Sequence, residues 1–171
     1  MKTLWTPWRI EHVLGNAAKT IGCIFEPTGH DFADKKQLLL YRDTLVIVLL
    51  NRFPYSNGHL LVAPTRHVPC ITALSQQESA AVIEMIKKAT SLLTKHLSPD
   101  GFNIGCNIGP VAGAGIADHL HFHIVPRWDG DHNFITVLAD VRTIPEHLEE
   151  TFDRLSPDFL SLSEKNSPWT P

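Results

Sequence analysis

A short run of alternating residues near position 120 constrains the fold more than any other part of the chain. Residues 119–127 read His-Leu-His-Phe-His-Ile-Val-Pro-Arg, so three histidines alternate with apolar side chains. Alternation with a period of two predicts a β-strand, here over 119–126, because successive strand side chains point to opposite faces. His119, His121 and His123 would then share one face, each about 7 Å from the next. The strand would be anchored in a core by the apolar residues of its other face, Leu120, Phe122 and Ile124.

The length and composition of the chain fit a single folded domain with two extensions. Of the 171 residues, 43% are apolar and 19% are charged, which is typical of a globular protein. Residues 1–36 lack a sustained period and are predicted to form an N-terminal arm. The Ser- and Pro-rich segment 156–171 is predicted to be a loosely held C-terminal tail. The domain itself is expected over 37–155.

The charge and cysteine content exclude several classes of protein. The net charge of -3 argues against binding a nucleic-acid polymer, because domains that do so are usually basic. Three scattered cysteines, Cys23, Cys70 and Cys106, favour reduced thiols over a disulfide framework. The longest clean apolar run, 45–50, is too short to span a bilayer, and the N-terminus does not look like a signal peptide. We therefore expect a cytoplasmic protein that does not bind membranes.

A β-hairpin is predicted in the first half of the chain. Residues 44–51 are rich in Val, Ile and Leu and predict a buried strand. Residues 52–58 end in Asn-Gly, the strongest turn signal of the chain. Residues 59–63, followed by Pro64, would be the returning strand.

A long helix is predicted after the hairpin. Ser75 and Glu78 have the spacing of a capping box, and apolar residues then recur at helical spacing to about His96. The remaining elements are expected to be two strands and a short helix, over 102–108, 134–138 and 145–155. This order of elements predicts an α+β fold, an antiparallel sheet with one long helix packed on it.

The histidine row supports two kinds of chemistry. A neutral imidazole is both a metal ligand and a nucleophile at physiological pH. In the first interpretation, His119 and His121 chelate a metal ion, as paired histidines do in zinc enzymes. In the second, His121 attacks an electrophile while its neighbours orient it and stabilise charge.

The segment before the row helps to decide between them. Residues 107–115 read Asn-Ile-Gly-Pro-Val-Ala-Gly-Ala-Gly, and closely spaced glycines let a backbone turn its N–H groups towards an anion. The loop leads directly into the histidine strand, so an anion site and the imidazoles would be neighbours. A phosphate beside a histidine nucleophile predicts phosphoryl or nucleotidyl transfer. No Gly-Lys-Ser/Thr follows the glycines, so the loop is not a P-loop.

The sequence resembles the histidine triad superfamily over residues 4–155. The run 119–125 matches its motif, His-φ-His-φ-His-φ-φ with φ apolar, and the run 48–64 resembles its nucleoside-binding hairpin. Residues 4–9 (Leu-Trp-Thr-Pro-Trp-Arg) and 126–135 (Pro-Arg-Trp-Asp-Gly-Asp-His-Asn-Phe-Ile) resemble the bacterial diadenosine tetraphosphate phosphorylase branch. The resemblance implies a nucleotide-binding catalytic domain with the histidine triad fold. It also implies paired sheets in a homodimer or a larger homo-oligomer.

The resemblance assigns a role to each site residue. His121 would be the nucleophile that takes the adenylyl group, while His119 and His123 would contact phosphates or hold the nucleophile in its useful tautomer. Asn107 matches an amide near the α-phosphate, and Asn51 matches a residue that contacts the ribose. The residues implied to cradle phosphate or to lie near the site are Gly113, Ala114, Gly115 and Trp128.

Some members of this superfamily bind zinc through a Cys-x-x-Cys pair, a histidine at the hairpin end and the first triad histidine. The corresponding residues here are Cys23, Glu26, His67 and His119. A carboxylate in place of a thiolate weakens a soft structural site, so a bound zinc ion is not expected. We expect nucleotidyl transfer by this site to require no cofactor. Mg²⁺ is the ion that would accompany a polyphosphate substrate.

The predicted function is nucleotidyl transfer from a dinucleoside polyphosphate through a covalent adenylyl-histidine. Phosphorolysis of diadenosine tetraphosphate to ATP and ADP is preferred, with inorganic phosphate as the acceptor, because Ala114 and Gly115 leave room for a second anion. Many triad hydrolases instead carry glutamine or serine in this loop. Two alternatives stay open. One is a hydrolase of dinucleoside polyphosphates or nucleoside phosphoramidates, and the other is a non-catalytic nucleotide- or metal-binding module.

Overall fold

The computed structural model describes residues 22–27, 33–131 and 144–166, with side chains as far as residue 162. Within these residues the strands are β1 (Leu39–Arg42), β2 (Val46–Leu50), β3 (Leu60–Pro64), β4 (Gly101–Cys106) and β5 (Phe122–Arg127). The helices are α1 (Gln76–Leu97) and α2 (Leu148–Asn166), and two 3₁₀ turns cover Ile71–Ala73 and Pro110–Ala112. None of the described helices is long and apolar enough to cross a membrane.

The five strands form one antiparallel sheet in the order β1-β2-β3-β5-β4. β2 and β3 are the predicted hairpin and pair along their whole length, from Val46 with Pro64 to Leu50 with Leu60. Every residue of both strands is buried, because both faces of the sheet are covered at this point. This explains why their sequences are continuous apolar runs rather than alternating ones.

The two faces of the sheet have different neighbours. Both helices pack on one face, in a core that includes Val48, Leu60 and Ile124 of the strands. The opposite face carries a smaller cluster in which Phe25, from the N-terminal arm, packs with Leu61 and other strand residues. The α+β fold predicted from the sequence is confirmed. The helices are confined to one face, so the other is available for a site.

α1 begins as its sequence predicts. The Ser75 hydroxyl accepts a hydrogen bond from the Glu78 amide at 3.2 Å, and the Glu78 carboxylate accepts one from the Ser75 amide at 2.8 Å. The Arg66 guanidinium donates to the same carboxylate at 2.7 and 2.8 Å, and together these donors lower the pKa of Glu78 to about 2. The capping box therefore also fastens the loop after β3 to the start of the helix.

The C-terminal segment differs most from the sequence prediction. The helix predicted over 145–155 begins at Leu148 and continues to Asn166, although Pro157 lies inside it. Proline usually ends a helix, because it lacks an N–H group and clashes with the preceding turn. Here the helix continues because Phe152, Leu155 and Phe159 are buried against the sheet on either side of the proline. The segment predicted to be a loosely held tail is thus helical as far as Asn166, and its side chains pack against the core as far as Leu162.

One further difference concerns a strand. β1 has no predicted counterpart, because its four residues follow a segment without periodicity. The predicted strand over 134–138 lies outside the described residues, as do residues 1–21 of the arm.

Candidate active site

The motif histidines lie on the sheet face opposite the helices. His123 is in β5, where it pairs with Leu61 of β3 and Gly105 of β4. Leu61 belongs to the smaller cluster, which places the His123 side chain on the helix-free face. β5 starts one residue after His121, so His119 and His121 lie in the segment that leads into the strand rather than within it as predicted. This segment follows the glycine-rich loop and is not held by the β4 ladder.

The imidazoles nevertheless form a continuous row. The rings of His121 and His123 have centroids 5.0 Å apart. The Phe25 ring lies between the other two, 4.9 Å from His119 and 5.2 Å from His121. His119 is 0% exposed and His121 is 5% exposed, so the row is largely withdrawn from water. Two more histidines extend its ends, His67 beside His119 at 4.7 Å and His59 beside His123 at 5.1 Å.

The hydrogen bond of His121 defines its tautomer. Nδ1 of His121 lies 2.8 Å from the backbone carbonyl oxygen of His119. A carbonyl oxygen only accepts, so Nδ1 carries the proton and donates it. In the neutral ring Nε2 then has a free lone pair. This is the nitrogen that acts as a nucleophile, which favours the second of the two interpretations of the row.

A second chain of hydrogen bonds defines the tautomer of His123. The Tyr55 amide donates to Nδ1 of His59 at 3.0 Å, and the Asn51 side-chain amide approaches the same nitrogen at 3.3 Å. Nδ1 of His59 is therefore an acceptor, and its Nε2 carries the proton. That proton is donated to Nδ1 of His123 at 3.0 Å. His123 is consequently left with its own proton on Nε2, as a donor for a phosphate oxygen.

His59 is the site residue that the sequence did not assign. It is fully buried, and its position directly after the Asn-Gly turn explained it equally well as a structural histidine. The only available signal was a histidine at the start of a strand next to a hairpin turn. Its partnership with His123 depends on the pairing of β3 with β5, which is a long-range contact.

Burial keeps His119 and His123 neutral. Desolvation lowers the pKa of His123 to about 4, with a smaller contribution from the neighbouring His121. Desolvation also lowers the pKa of His119, against the opposing effect of its hydrogen bond to the Pro64 carbonyl. Both imidazoles are therefore uncharged near neutral pH.

The glycine-rich loop contains the second 3₁₀ turn. The amides of Ala112 and Gly113 donate within the turn, at 3.2 and 3.0 Å. Gly113 adopts a φ of +84°, which residues with a side chain rarely adopt. Its carbonyl accepts a hydrogen bond from the side-chain NH₂ group of Asn107 at 3.3 Å. The Gly113 amide is thus engaged within the turn, which leaves Ala114 and Gly115 as the predicted anion-binding amides. The roles of Asn107 and of these loop residues stay predictions.

Asn51 and Trp128 have different positions relative to the row. Asn51 is next to it, with its amide oxygen accepting from the Phe53 backbone at 3.0 Å and its NH₂ group facing His59. Trp128 follows the end of β5, five residues after His123, and an extended strand of that length spans about 17 Å. The Trp128 indole donates to the carbonyl of Leu97 at 3.3 Å. Within one chain, then, Trp128 is not brought to the histidine row.

Three predicted metal donors are brought together at the other end of the row. The ligand atoms of Cys23, His67 and His119 lie within 4.8 Å of one another, and the Cys23 sulfur is 3.2 Å from Nδ1 of His119. Nε2 of His119 donates to the Pro64 carbonyl at 2.8 Å, which leaves Nδ1 proton-free. Metal-bound histidines usually have such a carbonyl partner on their second nitrogen. The Glu26 carboxylate lies 3.1 Å from Nδ1 of His67 and is not part of this three-residue cluster.

Comparisons with known proteins agree with this geometry. Residues 33–130 match the HIT domain family. The chain is 36% identical to an AP-4-A phosphorylase from Mycobacterium tuberculosis over 157 residues, which are 88% of this chain and 80% of that protein. A hypothetical histidine triad nucleotide-binding protein from Sulfolobus tokodaii is similar in structure, with a TM-score of 0.60, 26% identity and coverage of 78% of this chain and 91% of that one. A zinc-bound histidine triad family protein from Mycobacterium smegmatis is also similar in structure. Its TM-score is 0.58 and its identity 26%, and the match covers 75% of this chain and 88% of that one.

The low pKa of His123 predicts a specific pH dependence of stability. The folded-state pKa, about 4, is below the usual value of 6.5. The unfolded chain therefore binds the proton first as the pH falls. The contribution of His123 is fully present above its unfolded pKa and is lost as the pH falls towards 4. We expect the melting temperature to decrease less over this range in His123→Asn than in the original protein. The control is His147→Gln, because His147 is exposed. An equal decrease of the melting temperature in all three proteins would contradict the prediction.

The donor cluster predicts the metal content. The carboxylate at position 26 argued against zinc, whereas the arrangement of Cys23, His67 and His119 fits it. We expect elemental analysis of protein purified without chelator to find zinc, and Cys23→Ser to lose most of it. Cys70→Ser is the matched control, since Cys70 lies outside the cluster. Metal-free protein that keeps its fold would support the sequence-based expectation instead.

Proposed function

The chain belongs to the HIT domain family, and we propose that it is a nucleotidyl transferase that cleaves dinucleoside polyphosphates through a covalent nucleotidyl-histidine. The observation that carries this proposal is the hydrogen bond from Nδ1 of His121 to the His119 carbonyl, which leaves Nε2 of His121 as a nucleophile. The 36% identity with an AP-4-A phosphorylase over most of the chain supports diadenosine tetraphosphate as the substrate.

The first step forms the enzyme intermediate. Nε2 of His121 attacks the α-phosphorus in line, the P–N bond forms, and the bond from that phosphorus to the bridging oxygen breaks. ATP leaves from diadenosine tetraphosphate, and an adenylyl group stays on His121. The proton stays on Nδ1 of His121, and its hydrogen bond to the His119 carbonyl stabilises the positive charge of the ring. His123, with its proton on Nε2, is placed to donate to the oxygens or to the leaving group.

In the second step the adenylyl group is transferred to an acceptor. An oxygen of inorganic phosphate attacks the adenylyl phosphorus, the P–N bond breaks, and ADP is released. The small residues Ala114 and Gly115 support phosphate over water, because no side chain at these positions would position a water and a Cβ at Gly115 would meet nothing within 4 Å. A hydrolase would release AMP at the same step.

Cofactor needs follow from these residues. The two steps use nitrogen and amide groups of the chain, so we propose that no organic cofactor takes part and that Mg²⁺ enters only with the polyphosphate. Zinc, if held by Cys23, Glu26, His67 and His119, would fix the position of His119 without touching the substrate. A solved relative from Mycobacterium smegmatis is zinc-bound, which supports this assignment.

We propose a homodimer formed through β4. This strand is at the sheet edge and pairs with β5 alone among the described strands. Its middle residues are exposed, Ile104 by 47%, and a Cβ at Gly101 or Gly105 would meet nothing within 4 Å. An exposed edge with small residues admits the backbone of another strand. Pairing of two copies would join their sheets.

The compartment is part of the same proposal. All three cysteines are free thiols, and Cys23 belongs to the donor cluster. Reduced thiols and a nucleotide substrate are both typical of the cytoplasm. We propose that the protein works there.

The products of one incubation test the reaction. With diadenosine tetraphosphate and increasing inorganic phosphate, we expect ATP and ADP at a rate that rises with phosphate, because phosphate resolves the intermediate. Chromatography separates the nucleotides. If AMP and ATP form at a rate that does not depend on the concentration of inorganic phosphate, the protein is a hydrolase.

The same assay identifies the nucleophile. His121→Ala should lose turnover and the acid-labile nucleotide label, because the covalent route is removed. His147→Gln, an exposed substitution elsewhere, should keep both. Turnover by His121→Ala near the original rate would refute the covalent mechanism.

The dimer has its own test. Ile104→Lys should shift the protein from dimer to monomer in light scattering, because charges at the edges of two paired strands repel. Ile83→Lys replaces another exposed isoleucine, on α1, and should leave the dimer intact. A dimer that withstands Ile104→Lys as well as Ile83→Lys would place the interface elsewhere.

A further inference from the structure

A buried polar network joins the start of α2 to the hairpin turn. Thr151 is 0% exposed, and its hydroxyl lies 2.7 Å from the Glu146 carboxylate and 3.2 Å from the Asn57 amide oxygen. The Asn57 NH₂ group donates to the same Glu146 oxygen at 3.3 Å. The other Glu146 oxygen accepts from Arg154. Asn57 thus shares one set of hydrogen bonds with Glu146 and Thr151, which lie 89 and 94 residues further along the chain.

Asn57 occupies the part of the turn that leads to His59. The residue between them, Gly58, has a φ of +72°, and a Cβ there would lie 2.4 Å from the Leu97 side chain. The turn is therefore pressed against α1 and leaves little alternative to glycine. The His59 amide donates to the Ser56 carbonyl at 3.2 Å, which closes the turn.

The turn in turn controls the His59 imidazole. The Tyr55 amide reaches Nδ1 of His59 only because the backbone curves around the ring. That bond keeps the His59 proton on Nε2, and Nε2 donates it in a hydrogen bond to Nδ1 of His123. A change of the turn would release the tautomer of His59, and with it that of His123.

We propose that Asn57, Glu146 and Thr151 are positioning residues for the histidine row, which makes the C-terminal helix a support of the active site. The network holds the turn, the turn holds His59, and His59 fixes the proton of His123. The inference rests on the proposed function, because it assigns His123 to the transfer reaction.

α2 also has two attachments that do not reach the turn. Lys35 binds Asp153 at 2.6 Å, and Lys95 and His96 bind Asp158 at 2.5 and 2.6 Å. Loss of either attachment loosens the same helix without touching Asn57. Substitutions at Asp153 and Asp158 therefore separate general loosening of α2 from loss of the positioning network.

The experiment compares four variants of the full-length protein. Thr151→Val keeps the side-chain shape and removes the hydroxyl, and Asn57→Ala removes the amide from the turn side. We expect kcat to fall about tenfold in each, with KM changed little. Hydrogen-bond partners that orient a metal-bound histidine contribute about 10- to 100-fold, and this network orients a histidine in the same indirect way. Asp153→Asn and Asp158→Asn should lower the melting temperature while kcat stays within about twofold of the original. If Thr151→Val does not fold, Asn57→Ala tests the same network from the side of the turn.

Nitrogen NMR of the imidazoles supplies the readout that mere loosening would not change. In the original protein, His59 and His123 should each show one tautomer, with proton-free Nδ1. Thr151→Val and Asn57→Ala should shift both rings towards a mixture, and the two controls should not. Unchanged tautomers in the network variants, or an equal loss of kcat in the controls, would overturn the proposal. If the original protein does not turn over diadenosine tetraphosphate, the proposed function fails, and the tautomers still decide the inference.

Discussion

The hydrogen bond between Nδ1 of His121 and the His119 carbonyl is the contact on which the rest of the site depends. It connects a side chain to a backbone atom two residues earlier, so His121, the proposed nucleophile, is oriented by its own chain segment. The segment is fixed in turn by the His119 side chain, which donates to the Pro64 carbonyl and approaches the Cys23 thiol. The hydrogen bonds around the row therefore each hold a proton on one nitrogen of an imidazole and leave a lone pair on the other.

This arrangement requires a dry environment, and the sheet provides it. Both helices cover one face, so the strands can be buried on both sides only if something covers the other face. Phe25 does this from the N-terminal arm, with its ring against both His119 and His121. Burial then lowers the pKa of His123 to about 4, so this imidazole is uncharged near neutral pH. Packing and catalysis thus depend on the same aromatic ring.

Local sequence patterns predicted much of this structure. The hairpin, the capping box at Ser75 and the strand that carries His123 each follow from residues close together in the chain, although that strand begins only after His121. The parts that were not predicted depend on contacts between distant residues. His59 gains its role only when β3 pairs with β5, and α2 passes Pro157 only because Phe159 is buried. The resemblance suggested four zinc ligands but could not show that three of them converge, which is a property of the folded chain.

The double use of His119 affects how genetic data on this site should be interpreted. Its imidazole belongs to the donor cluster with Cys23, whereas its carbonyl oxygen belongs to the nucleophile. Substituting the side chain leaves the carbonyl in the chain, so a defect would report first on the cluster and only indirectly on the chemistry. An alanine scan would then rank His119 and Cys23 together, as one functional unit separate from His121. The three histidines of the motif lie within five residues of sequence, but they would not form one phenotypic class.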